Sequence, residues 1–409
     1  GSAASRRRPQ QSGIAPPVRR STRLSSGATT GGTNDSREMP PPGSPGRGGT
    51  SGAARHSCGC SLGAPAAAPA DNTGATRAVV LLRQLASAYR LLCQFQCREA
   101  LEHFKALPTQ HYNTGWVLTQ VGRAHFEMVQ YAEASRVFEQ AQYCEPHRLS
   151  GMELHSTILW HLKKEVALCY LAKRAIDLDR NSPYACCVVG NCFSLQKEHD
   201  TALKFFQRAI QLQPDLAYAY TLSGHEHAAK DDFEKASSCY RAAIRIDERH
   251  YNAWYGLGNV YYRQEKYDSA EYHLRNALAI NPCSSPLFCY LGMALHANQK
   301  SLQALEMLTN AIRIDAKNPL ARFHKAQVLM STEQYDTALT ELLLLVEAAP
   351  KEGSVYFVLG KVYKKLGQTN NAMVALTRAL DLSPKESQQI KAALLNLERE
   401  DNAEEEEEL

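Results

Sequence analysis

Between residues 81 and 386, apolar positions recur in paired short stretches, each spaced for one face of a helix. Residues 251–284 show the pattern best. Trp254, Leu257, Gly258 and Tyr261 stand at i, i+3, i+4 and i+7, which predicts one helix with a single apolar face. Ala270, Leu274 and Ala277 predict a second. Pro282 closes the pair, because proline is tolerated between helices and not inside them. The pattern returns every 34 residues: Ala100, Ala134, Ala202, Ala236, Ala270, Ala304, Ala338 and Ala372 keep one phase, and Leu168 fills the remaining slot. Gly122, Gly190, Gly224, Gly258, Gly292 and Gly360 run in step, as do Pro146, Pro214, Pro282, Pro350 and Pro384.

A self-similarity of 34 residues is the period of tetratricopeptide (TPR) helix–turn–helix repeats, which this pattern resembles. The fold expected is therefore all-α, a right-handed TPR superhelix or α-solenoid. About nine repeats begin at Leu81, Gly115, Leu149, Pro183, Ala217, Tyr251, Ser285, Pro319 and Gly353. The small residue of the first helix and the alanine of the second let two antiparallel helices approach closely, and the bulky residues fill the space between them. Glycine inside a helix costs about 1 kcal/mol against alanine, so its recurrence at one phase implies a packing gain. The third repeat, 149–182, is degenerate, with Met152, Ser156, Leu168 and Ala172 at its signature positions. The flanking repeats keep phase across it.

Outside the repeats the composition changes. Residues 1–77 are rich in Gly, Pro, Ser and Ala and carry ten Arg against three acids. Such a stretch buries too little apolar surface to offset its ordering entropy, so it is expected to be a disordered basic linker. Arg6-Arg7-Arg8 and Arg19-Arg20 suit a nuclear localisation signal or a solvated linker alike. Residues 387–409 carry eight acids against two basic residues. There Ile390, Leu394 and Leu397 predict a capping helix, and Glu404 to Glu408 a frayed acidic tail. The remaining 78–386 is close to balanced, without the basic excess of a nucleic-acid binder. No apolar stretch is long enough for a membrane span.

Catalytic chemistry has no support in the motifs. Gly256-x-Gly258 lies inside a repeat helix rather than after a strand, and Gly360-Lys361 lacks the loop of a phosphate cradle. The twelve cysteines are scattered, and neither Cys58-x-Cys60 nor Cys93-x₃-Cys97 has a second half to complete a zinc site. No enzyme activity, metal or cofactor is expected. The TPR resemblance implies instead that positions 2, 5, 9, 12 and 13 of each repeat face an inner groove. In the fourth to sixth repeats this selects Asn191, Tyr218, Thr221, His225, Asn252, Tyr255 and Asn259 as a peptide-binding lining. Amides bond an extended backbone from both sides, and tyrosines give contact area at small entropic cost. Glu226 is the nearest acid to these positions.

Longer stretches carry a closer resemblance. NTGWVLTQVGRAHFE at 113–127, GMELHSTILWHL at 151–162, GNCFSLQKEHDTALKFFQRAI at 190–210, RHYNAWYGLGNVYYRQEKY at 249–267 and VYFVLGKVYKKLGQT at 355–369 resemble the family of the third TPR scaffold subunit of the anaphase-promoting complex. The resemblance covers about 78–386, degenerate repeat included. It implies a non-catalytic scaffold of a nuclear ubiquitin ligase active in mitosis and G1, found in the cytoplasm during mitosis. It implies as partners the other TPR subunits, and activator and Doc-domain subunits whose tails end in Ile-Arg. Asn191 would then bond the tail backbone, and Glu226 would pair with its arginine. The family dimerises through an N-terminal TPR half that is absent here, so this chain alone is not expected to dimerise that way. The alternative is a generic TPR adaptor or co-chaperone. The chaperone clamp takes Lys at position 5 and Asn at position 9, and Cys187 with Asn191 and Tyr255 with Asn259 lack that lysine.

Overall fold

The structure, a computed structural model, describes residues 73–382 and 387–407. The basic segment up to residue 72, and the turn holding Pro384, lie outside the described residues. Every regular element described is a helix.

Nine helix pairs follow the 34-residue register. They are α1 (Thr73–Cys93) with α2 (Cys97–Lys105), then α4 (Gly115–Glu127) with α5 (Tyr131–Cys144), and α6 (Met152–His161) with α7 (Glu165–Leu178). Next come α8 (Pro183–Leu195) with α9 (His199–Leu212), α10 (Ala217–Ala229) with α11 (Phe233–Ile246), and α12 (Tyr251–Arg263) with α13 (Tyr267–Ile280). The last three are α14 (Ser285–Ala297) with α15 (Ser301–Ile314), α16 (Pro319–Ser331) with α17 (Tyr335–Ala348), and α18 (Gly353–Lys365) with α19 (Thr369–Leu382). A single-turn α3 (Thr109–Tyr112) interrupts the first repeat, and α20 (Ser387–Glu407) closes the array.

One backbone feature repeats with the same period. Phe95, Val129, Lys163, Lys197, Asp231, Glu265, Gln299 and Glu333 all have φ between 57° and 65°, and Gly367 has 71°. Each ends a first helix and reverses the chain. The left-handed conformation costs a side chain roughly 1–2 kcal/mol. Closing bonds such as Lys164 N–H to the Leu159 carbonyl, 3.0 Å, satisfy the carbonyls left at the helix end.

The steric reading of the repeat also has a direct measure. A methyl added to Gly190 would lie 2.3 Å from the Phe206 ring, and one added to Gly258 would lie 2.8 Å from Leu274. The glycine phase of each first helix thus seats the bulky residue of its partner. Ala270, fully buried, lines the same crossing. Ala270→Leu is expected to overpack it at a cost of about 1–3 kcal/mol. Contacts in such an array are mainly between neighbours. Hydrogen exchange should therefore rise across α12 to α15 and stay unchanged in α18 and α19.

The helix boundaries refine the repeat pattern. Helix α1 starts at Thr73, inside the stretch read as a linker to 77, because Ala75 to Leu82 simply extend the first helix. Helix α2 stops at Lys105, since Pro108 cannot continue a helix and instead starts α3. The acidic end, read as frayed, is helical in backbone through Glu407. Helix α6 begins only at Met152, after Gly151 at φ 97°, yet Lys163 and Glu165 keep phase. The degenerate repeat is therefore a full repeat with a shortened first helix. At the end, α20 buries Ile390 and Leu397 against Leu376 and Ala379 of α19.

Candidate peptide groove

First helices of consecutive repeats touch one another, α6 with α8 and α14 with α16 among them, so they line the tighter inner side of the array. The curl is close enough for distant repeats to meet. Phe95 packs edge-on against Tyr251 at 5.4 Å, and Arg249 donates to the Cys93 carbonyl at 3.0 Å. The Tyr251 hydroxyl donates to Glu127 at 2.7 Å, 124 residues away in sequence. The first helices therefore line a common inner trough.

The residues chosen by phase divide into open and sealed groups. Asn191 is sealed. It is buried, and its amide donates to Ser156 Oγ at 2.8 Å and Thr157 Oγ1 at 3.1 Å. In the free chain, hydroxyls of the degenerate third repeat engage its amide nitrogen. Thr221 is also buried and donates to its own helix at Ala217, 3.1 Å. Glu226 is buried too, accepting from Ser194 Oγ at 2.6 Å and facing His199 Nδ1 at 2.6 Å. Both of its oxygens are engaged in the free chain, and it stands one position past the groove phase.

Tyr218, Asn252, Tyr255 and Asn259 are half-buried along the trough, and His225 is exposed in it. The Tyr218 hydroxyl contacts Thr157 Oγ1 and donates to the Glu153 carbonyl at 3.3 Å. His225 Nδ1 meets Tyr240 Oη at 2.8 Å. The ring is open to solvent on one side, but the protein crowding its other sides pushes its pKa below the usual imidazole range. Tyr255 meets Tyr290 edge-on at 5.0 Å, and burial raises its pKa. Asn252 lies against its neighbour Tyr251.

The trough has an acid that phase arithmetic reaches only when applied to the degenerate repeat. Glu153 is position 5 of that repeat, the same phase as Thr221 and Tyr255. It is half-buried, and Gly151 N–H donates to its Oε2 at 2.9 Å. Among the described residues it forms no salt bridge. Burial raises its pKa to about 7, although Gly151 N–H and the more distant Arg123 pull the other way. Tyr184 and Cys187 lie within its field. Around it, Ser156 Oγ and Tyr218 Oη donate to the Glu153 carbonyl, which holds its backbone in place. Glu127, position 13 of the second repeat, is a further half-buried acid whose pKa burial raises. Among the described residues no cluster of three or more His, Cys, Asp or Glu has metal-holding geometry, and no helix is long and apolar enough to cross a membrane.

Comparison with known proteins assigns the class. Models described as tetratricopeptide repeat match residues 183–216, 221–284, 295–360 and 353–386. The fold is that of the crystal structure titled APC/C hetero-tetramer Cut9-Hcn1, with TM-score 0.63 and 16% identity, covering 73% of this chain and 58% of that one. The chain is a tetratricopeptide-repeat solenoid. It is 49% identical over 329 residues to anaphase-promoting complex subunit 3 of Dictyostelium discoideum, covering 80% of this chain and 34% of that protein. It is 48% identical over 319 residues to cell division cycle protein 27 homolog A of Arabidopsis thaliana, covering 78% and 44%. Its repeat segment belongs to the family of anaphase-promoting complex subunit 3. The chain spans less than half the length of these relatives.

Proposed function

We propose that the chain is a scaffold segment of an anaphase-promoting complex, and that its trough receives an extended C-terminal tail ending in Ile-Arg. The tails belong to activator and Doc-domain subunits, and the neighbours are the complex's other TPR subunits. The setting is the nucleus, and the cytoplasm during mitosis. The kinship with subunit 3 supports the scaffold role. The observation that carries the tail reading is Glu153, a half-buried trough carboxylate that forms no salt bridge among the described residues and is held by the Gly151 N–H. Its carboxylate pairs with the tail guanidinium in two parallel hydrogen bonds. Tyr218 and Tyr255 pack on the isoleucine, and the half-buried amides of Asn252 and Asn259 bond the tail backbone.

The test is a fluorescence-polarisation titration with an Ile-Arg-ending peptide and with two controls, one amidated and one lacking the arginine. Loss of the arginine is expected to weaken binding at least tenfold, the equivalent of about 1.4 kcal/mol. Equal binding of all three peptides would place the tail site elsewhere.

A further inference from the structure

Cys169 on α7 and Cys192 on α8 belong to consecutive repeats, yet their sulfurs lie 3.3 Å apart as free thiols. No other sulfur–sulfur contact of this kind occurs among the described residues. The two atoms differ in access. Cys169 lines a shallow, open recess along the outer face of α7, beside Glu165, Val166, Tyr170 and Lys173 of the same helix. Val166 and Tyr170 are exposed there, so the recess opens directly to solvent. Cys192 is buried behind Cys169, and burial, reinforced by its neighbour, raises its thiol pKa to about 12. Gln196 Nε2 donates to Cys169 Sγ at 3.8 Å, which directs that sulfur between the helices.

We propose that Cys169 and Cys192 form an oxidation site, in which hydrogen peroxide entering the recess converts the two thiols into a disulfide joining the third and fourth repeats. In the first step the Cys169 thiolate attacks one peroxide oxygen. The S–O bond forms, the O–O bond breaks, and the leaving hydroxide takes the thiol's proton as water. Cys169 is then a sulfenic acid. In the second step Cys192 attacks the Cys169 sulfur. The S–S bond forms, the S–O bond breaks, and a second water leaves with the Cys192 proton. Two thiols give up two electrons, and the peroxide is reduced to two waters. The high thiol pKa of Cys192 makes it a poor first nucleophile, whereas direct contact lets it resolve the sulfenic acid once formed. Closing the gap from 3.3 Å to the roughly 2.05 Å of a disulfide needs side-chain adjustment at both cysteines. In a reducing compartment such a bond is transient, which suits a site that records oxidant exposure.

The experiment treats the whole chain with hydrogen peroxide, blocks residual thiols and maps peptides without reduction. The expected product is a cross-linked pair of peptides holding Cys169 and Cys192, short of two hydrogens and released by dithiothreitol. Oxidation should also shift the melting transition upward, reversibly, because the bond constrains the unfolded chain. Cys192→Ala and Cys169→Ser should each abolish both the cross-link and the shift. In Cys192→Ala, Cys169 should instead be trapped by a sulfenic-acid reagent such as dimedone. Recovery of both cysteines unmodified, while exposed Cys144 and Cys283 oxidise, would overturn the proposal. So would a melting shift that persists in either variant.

Discussion

Glu153→Gln is expected to weaken an Ile-Arg-ending peptide by roughly thirtyfold, about 2 kcal/mol, because the tail guanidinium loses the carboxylate that faces it. The same carboxylate sets a pH dependence. In the free protein, burial raises the Glu153 pKa from 4.5 to about 7, so folding favours the protonated form. The stability this contributes is complete below about 4.5 and is lost as pH rises through about 7. Glutamine keeps the neutral shape, so the variant should lack that loss and outlast wild type in denaturant at pH 8. Because Glu153 is only half-buried, the gain is held to about 1–2 kcal/mol.

Binding has the opposite sign. A guanidinium pairs with the carboxylate and not with the acid, so the peptide takes up its site with release of a proton. Affinity should rise about tenfold from pH 6 to pH 8 and flatten above. The neighbouring imidazoles do not mimic this, because burial holds His161 at about 4 and pushes His225 and His250 down. Glu127 is the other raised acid, so Glu127→Gln serves as the control. A pH slope that survives Glu153→Gln and disappears in Glu127→Gln would move the arginine site to the second repeat.

Tyr240→Ala should produce the largest loss of stability, about 3–5 kcal/mol. Tyr240 is 1% exposed, and its ring is seated between two glycines of consecutive first helices. A methyl on Gly224 would come within 2.6 Å of that ring, and one on Gly256 within 2.4 Å. The ring therefore fills a slot that two repeats build jointly, and truncation opens a cavity in both. Tyr240→Phe keeps the ring and loses only the hydroxyl bond to His225, for about 1 kcal/mol. Equilibrium denaturation of the pair separates the two contributions. If the alanine variant were no less stable than the phenylalanine variant, the slot would not carry the packing assigned to it.

Much of this molecule was legible before any coordinate. The 34-residue period placed all nine helix pairs, and the glycine and bulky phases foretold which side chains press together, as Gly190 does on Phe206. Helix pairing of this kind is local. Residues that meet are a few turns apart in sequence, so spacing alone encodes them. The inner phase was legible as a face of the first helices, where Tyr218, Asn252, Tyr255 and Asn259 are half-buried and His225 is exposed. What each side chain does on that face was decided by neighbours the period does not specify. Asn191 and Asn259 share a phase, yet Ser156 and Thr157 of the degenerate repeat engage only the first. Glu226 missed the face by one position and turned to Ser194 and His199, whereas Glu153, overlooked in the irregular repeat, holds its carboxylate in the trough. The bond from Tyr251 to Glu127 and the contact of Cys169 with Cys192 exist only because consecutive pairs stack with a particular curl. That curl accumulates from small rotations at every interface, so it belongs to the packed array and is written in no single repeat.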